Sequence, residues 1–273
     1  MQRAFGEPCA WPSIVRCERN GIVIDRYGPA GGIPVIALHG AAANRKTWLG
    51  LARELRPDFE LFVPDLPGHG DRRDERFSIE ASLELVGEML ANLRPHRAIV
   101  SGDSLGGYVA LAAGARFADE VEAVVAGGCS WTMTGFSGVI ARASDVPPTM
   151  FERALGSERV DRLFTALMRR LLSKADADEV VAAGLRPQAR SESLEELRGF
   201  DVGAIIRAIQ APLTLVNGRF DWPTRAGERA FVRAARDGAL LIAPRCGHGV
   251  GVFDPATFAR AIEATYERKR YEV

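Results

Sequence analysis

Short apolar runs alternate with amphipathic stretches along most of this chain. Val35-Ile36-Ala37-Leu38 is continuous and apolar, the look of a strand buried on both faces. Comparable runs recur at residues 60–63, 98–100, 121–126, 213–216 and 239–243, and residues 21–27 alternate as a further strand. Helical stretches separate them: 48–55, 78–92 with Ser78 as N-cap, the small-residue run 108–115, and 228–235. Asp254-Pro255 reads as N-cap and first residue of a last helix reaching about 268. Strands and helices in alternation predict an α/β fold with a mainly parallel central sheet and helices on both faces.

The alternation stops between about 131 and 200. No strand pattern appears there. Val160, Leu163, Phe164, Leu167, Met168 and Leu171 follow helical spacing, with arginines on the opposite face. Pro147-Pro148 precedes this stretch and Pro187 interrupts it. It reads as an inserted α-helical segment whose apolar stripe is expected to pack on itself or over the sheet. Residues 1–19 carry no clear period and read as an arm or an irregular first strand.

Composition narrows the class. With 273 residues the chain suffices for one large α/β domain or a core with an inserted piece. Hydrophobic residues make up 47% and charged residues 26%, as in soluble globular proteins. The 35 basic and 35 acidic residues balance, which argues against nucleic acid or an anionic membrane as main partner. Cys9, Cys17, Cys129 and Cys246 form no C-x-x-C pair and no metal-ligand spacing. Reduced thiols in a cytoplasmic protein are expected. The N-terminus lacks a secretory pattern, and no apolar run is long enough to span a membrane.

One turn carries chemistry. Gly102-Asp103-Ser104-Leu105-Gly106-Gly107 joins a strand to a helix, with Ser104 at the turn. Glycines two residues to either side have a steric reason, because side chains there would collide where strand and helix cross. A serine nucleophile needs a base, an acid that orients the base, and N–H donors for the oxyanion. In an open parallel sheet the loops after the strands gather along one edge. His248, between glycines after the last strand, then shares an edge with Ser104 and is the candidate base. His39 and His69 also follow strands and are expected to line the site or fix its loops, and His96 is expected on the surface. Asp221 ends the first strand after the helical segment and is the candidate acid, with Asp201 as the weaker alternative. Asp65 sits in turn chemistry, and Asp103 is expected to point away from Ser104. Trp131, Met133, Phe136 and Trp222 are pocket candidates.

Five motifs in order then point to a family. They are H-G-A-A-A-N at 39–44, D-L-P-G-H-G at 65–70, G-D-S-L-G-G at 102–107, N-G-R-F-D at 217–221 and G-H-G-V-G-V-F-D-P at 247–255. Together they resemble the α/β-hydrolase superfamily over residues 21–268, and the order Ser104, Asp221, His248 is the one that fold uses. The resemblance implies an α/β-hydrolase fold, with residues 1–130 and 201–273 as core and 131–200 as a helical cap. It implies Ser104 as nucleophile, Asp221 as acid, His248 as base, and the backbone N–H groups of Leu105 and Ala41 (less so Ala42) as oxyanion donors. Serine at the elbow argues against the haloalkane dehalogenases and epoxide hydrolases of the superfamily, which carry aspartate there. The activity it implies is that of a carboxylesterase on small or medium esters, with no metal and no organic cofactor. The alternatives are a carbon–carbon bond hydrolase acting on an acidic diketone, with Arg142, Arg190 and Arg219 as candidate anchors, or a thioesterase, lactonase or perhydrolase. A non-catalytic ligand receptor is the reading of a different class.

Overall fold

The computed structural model of the protein describes residues 17–19, 22–135, 156–222 and 224–270. Cys9, Phe136, Arg142, Pro147 and Pro148 lie outside them. Eight strands form one sheet in the order β1-β2-β4-β3-β5-β6-β7-β8. They are β1 (Cys17–Arg19), β2 (Ile22–Tyr27), β3 (Ile33–Leu38), β4 (Phe59–Pro64), β5 (Ala98–Asp103), β6 (Val121–Gly127), β7 (Leu213–Gly218) and β8 (Gly238–Ala243). β2 runs antiparallel to both β1 and β4, and every pairing from β4 to β8 is parallel. The chain passes from β3 outward to β4, then returns to β5 on the other side of β3. Loops after β3 and β5 therefore diverge, and the crevice between them is where such sheets bind ligands.

The central strands are buried on both faces. Along β3, Val35 and Ala37 enter one core cluster while Ile36 and Leu38 enter the other. Val35 and Ala37 share their cluster with Leu51 of α1 (Leu49–Glu54) and with Phe258 and Ile262 of α10 (Pro255–Arg270). Trp48 and Phe258 meet there with ring centroids 5.2 Å apart. The opposite face packs on Val86 of α2 (Ile79–Leu93), Val109 of α3 (Leu105–Arg116) and Ile206 of α7 (Val202–Ala208). Ser78 caps α2, its hydroxyl accepting from Ala81 N at 3.0 Å. Asp201, the weaker acid candidate, caps α7 by accepting from Ala204 N at 3.0 Å, which commits its carboxylate to the helix end. α8 (Glu228–Ala234) runs beside β8, and the short α9 (Val250–Phe253) follows the loop after β8.

Among the described residues of 131–200 there is no strand. Three helices occupy them: α4 (Ser157–Leu171), α5 (Lys174–Ala182) and α6 (Ala189–Glu196). The stripe along α4 is only half packed. Val160 and Met168 are buried, but Leu163, Leu167 and Leu171 are 54%, 44% and 50% exposed. Helical spacing places residues on one face without saying what covers that face.

The helical segment is tied to the loop after β3. Buried Asn44 donates from Nδ2 to the carbonyls of Val180 (2.9 Å) and Gly184 (2.8 Å), and its Oδ1 accepts from Lys46 N at 3.0 Å. Arg186 N donates to Ala42 O at 3.1 Å. Asn44→Ala leaves two carbonyls without their donor, an expected loss of about 1–3 kcal/mol in chemical denaturation. A loss below about 0.5 kcal/mol, the scale of an ordinary surface change, would mean this tie contributes little.

Candidate active site

Ser104 sits where β5 turns into α3, at φ 56° and ψ −117°, a left-handed conformation rare for a residue with a side chain. Its N–H donates to Gly127 O at 2.8 Å, which pins the turn to β6. The glycines around it are required by contact. A Cβ on Gly102 would lie 2.2 Å from Gly106 O, and one on Gly106 would lie 2.0 Å from Leu38 O. The turn thus exists only where strand and helix backbones touch, and it projects the hydroxyl above the sheet edge.

His248 reaches the same point from the loop after β8. Its Nε2 lies 2.9 Å from Ser104 Oγ, and its Nδ1 lies 2.8 Å from Asp221 Oδ2. A carboxylate only accepts, so Nδ1 carries the proton and Nε2 presents a lone pair to the serine. Asp221 follows β7, and that loop meets the one after β8 closely enough that a Cβ on Gly218 would lie 2.0 Å from Gly247 O. Asp221 N donates to Gly218 O at 3.1 Å, and Thr224 Oγ1 donates to Asp221 Oδ2 at 2.5 Å. His248 is half exposed; the desolvation it does undergo opposes its charge, but the hydrogen bond and charge of Asp221, with Asp103 behind, outweigh it. Arg190 pulls the other way, and the net effect holds the imidazole above its ordinary value of 6.5.

Leu105 is the first residue of α3, so its N–H has no intrahelical acceptor. It and Ala41 line the cavity beside Ser104. The cavity is about 430 Å³, the size of a small-molecule site. Its walls are largely apolar and come from core and helical segment alike, Leu167 and Met168 of α4 among them.

The remaining candidates separate. His39 lines the cavity but is 1% exposed and serves as a loop tie. Its Nδ1 donates to Gly40 O at 2.9 Å and its Nε2 accepts from Leu66 N at 3.0 Å, which fixes a neutral tautomer. Burial pushes its pKa down. Burial, then the neighbouring His39, push His69 down to about 3, and its Nδ1 lies 2.9 Å from Pro67 O. His96 is exposed. Trp131 and Met133 line the cavity. Trp222 is a correction: its side chain is 77% exposed and is absent from the lining, because the turn after Asp221 carries it outward. Arg190 of α6 lines the cavity, whereas Arg219 lies outside it over the Phe220 ring. Asp65 accepts from Arg45 N at 2.7 Å and pairs with the Arg45 guanidinium, holding the loops after β3 and β4 together. Sequence reasoning missed Thr224, and it placed Asp103 without seeing what that side chain meets. Both depend on loop directions that no periodicity encodes.

Among the described residues, no cluster of three or more His, Cys, Asp or Glu side chains is placed to hold a metal ion. Nor is any described helix long and apolar enough to cross a membrane. Cys129 and Cys246 are free and buried.

A nucleophile-type elbow at the switch point of a doubly wound sheet defines a class of enzyme, and the comparisons agree with it. The sequence profile of the Alpha/beta hydrolase family matches residues 35–261. The chain belongs to that family and is an enzyme of the hydrolase, esterase-like kind. The pimeloyl-[acyl-carrier protein] methyl ester esterase of Nitrosomonas europaea is 28% identical over 250 residues, covering 85% of this chain and 95% of its own. The enol-lactonase of Burkholderia xenovorans superposes with a TM-score of 0.70 at 17% identity, covering 94% of this chain and 99% of that one. MenH from S. aureus gives 0.72 at 16% identity, with 90% and 98% covered. At such identities the two structures speak for the fold alone.

Proposed function

We propose that the protein is a serine hydrolase that cleaves small or medium carboxylic esters through an acyl-enzyme on Ser104. One observation carries this reading: the unbroken line from Ser104 Oγ to His248 Nε2 at 2.9 Å and from His248 Nδ1 to Asp221 Oδ2 at 2.8 Å. His248 takes the serine proton as the hydroxyl attacks the ester carbonyl. The N–H groups of Leu105 and Ala41 hold the oxyanion, a contribution worth about 10²- to 10³-fold in rate per donor. His248 then protonates the departing alcohol and later activates water for deacylation. The helices α4 to α6 act as a cap whose α4 roofs the acyl cavity. The 28% relative, named for a methyl ester, supports a small alcohol as leaving group. The apolar walls suit an aliphatic acyl chain. No metal or organic cofactor takes part in this mechanism.

Turnover of p-nitrophenyl butyrate across pH tests it. The active base is neutral, so protonation on falling pH removes activity. Because His248 is held above its ordinary value, the acid limb of kcat/KM is expected to have its midpoint above pH 6.5. No ester turnover would overturn the assignment, and a midpoint below that value would show that Asp221 and Asp103 do not raise the His248 pKa.

Arg190 in the cavity lining supports a second reading, a carbon–carbon hydrolase with an acidic diketone substrate. Diketone cleavage faster than ester cleavage would favour it.

A further inference from the structure

Asp103 precedes Ser104 and ends β5, yet its carboxyl serves the other side of the site. The residue is 2% exposed. Its Oδ2 accepts from Gly251 N at 2.8 Å, across 148 positions of chain. Gly251 lies in α9, three residues beyond His248. The approach is tight, since a Cβ on Gly251 would lie 3.2 Å from Asp103 Oδ2 and 2.5 Å from the Trp48 ring. The other oxygen, Oδ1, is buried and has no hydrogen-bond partner among the described residues. A Cβ placed on Gly128 would lie 3.0 Å from His248 Cε1 and 3.3 Å from Asp103 Oδ1. The carboxylate and the carbon edge of the imidazole thus both border the small space beside Gly128.

We propose that Asp103 is a positioning residue for His248: it fastens the His248 loop to the end of β5 through Gly251, and its charge backs the imidazole beside that of Asp221. The proposal rests on His248 being the base. Imidazolium forms as Ser104 is deprotonated, and the buried, fixed Asp103 carboxylate behind the ring favours that charge.

Other groups face the pair. Asp221 from the loop after β7 and Arg190 from α6 act on His248 with opposite sign. The Cys129 and Cys246 thiols feel the Asp103 charge, and burial keeps both thiols protonated well above neutrality. Burial pushes the Asp103 carboxyl up and the Asp221 charge adds to that, while His248 and the Gly251 N–H pull it down. The carboxylate is therefore most favoured when the imidazole is charged, the state reached as the serine attacks.

Asp103→Asn keeps an acceptor for Gly251 N and removes the charge, whereas Asp103→Ala removes both. The His248 ring is titrated by NMR in S104A and in S104A/D103N, with H248Q assigning the signal. Asp103→Asn is expected to lower the His248 midpoint by about half a pH unit or more, which in the active enzyme corresponds to a fall in kcat of about threefold or more. KM is expected to stay within about twofold, since no substrate contact is lost. Asp103→Ala is expected to lower kcat further. An unchanged His248 titration in D103N overturns the proposal, and so does an effect confined to KM. Turnover surviving in S104A would instead overturn the underlying nucleophile assignment, so the two failures are distinguishable.

Discussion

Replacing Ser104 by alanine is expected to lower kcat for a p-nitrophenyl ester by about 10⁶-fold, the scale on which serine hydrolases lose rate without their nucleophile. The protein itself is expected to survive the change. Gly102, Gly106 and the Ser104 N–H bond to Gly127 O hold the elbow, and none of them uses the hydroxyl. Alanine meets the same backbone strain at φ 56° as serine does, so the melting temperature is expected to stay near that of the wild type. Among the described residues, the hydroxyl's one direct partner is His248 Nε2. A fluorophosphonate should label the wild type once per chain and leave Ser104→Ala unlabelled. Unchanged ester turnover in the alanine variant would sink the acyl-enzyme mechanism. Labelling of Ser104 without multiple turnover would favour a ligand receptor on this scaffold.

What sequence could reveal here depended on how local its physical cause was. The elbow was legible because its glycines answer to contacts within a few residues and to one neighbouring strand. The strands of the central sheet were legible because burial on both faces writes continuous apolar runs, as at Val35 to Leu38. The helix through Leu171 was legible from its period, but its exposed leucines were not. Period says which residues share a face, and only the assembled fold says whether the face is covered. Trp222 failed as a wall for a related reason, since adjacency to Asp221 in sequence says nothing of direction once a turn intervenes. Asp103 illustrates the converse. Its position next to Ser104 predicts a side chain directed away from the hydroxyl, but not what that side chain meets. The space it enters belongs to Gly251 and Gly128, from two other loops, and was invisible until the sheet brought those loops together.

Asp221→Ala is expected to lower kcat by about 10⁴-fold, the scale of losing the orienting carboxylate alone. Asp221→Asn is expected to do much less harm here than an amide at this position does elsewhere. In serine proteases the same exchange costs about 10⁴-fold because the amide selects the wrong imidazole tautomer. In this site two donors converge on one oxygen: His248 Nδ1 at 2.8 Å and Thr224 Oγ1 at 2.5 Å both address Asp221 Oδ2. An asparagine keeps both bonds by placing its carbonyl oxygen there, with its NH₂ turned away from the ring, whereas the reverse orientation makes the Thr224 hydroxyl give its hydrogen to Asp221 O at 3.1 Å instead. In the first orientation the imidazole keeps its proton on Nδ1 and its lone pair on Nε2, and the cost reduces to the lost charge. A loss of about 10- to 10²-fold is expected, together with an acid limb moved to lower pH. Removing the second donor should expose the mechanism. In T224A/D221N the amide is free to turn, and activity is expected to fall toward that of Asp221→Ala. The single change Thr224→Ala leaves the carboxylate in place and removes one hydrogen bond to a charged group, at an expected cost of up to about 10²-fold. Equal losses in Asp221→Asn and Asp221→Ala would show that Thr224 does not set the orientation of the group beside His248.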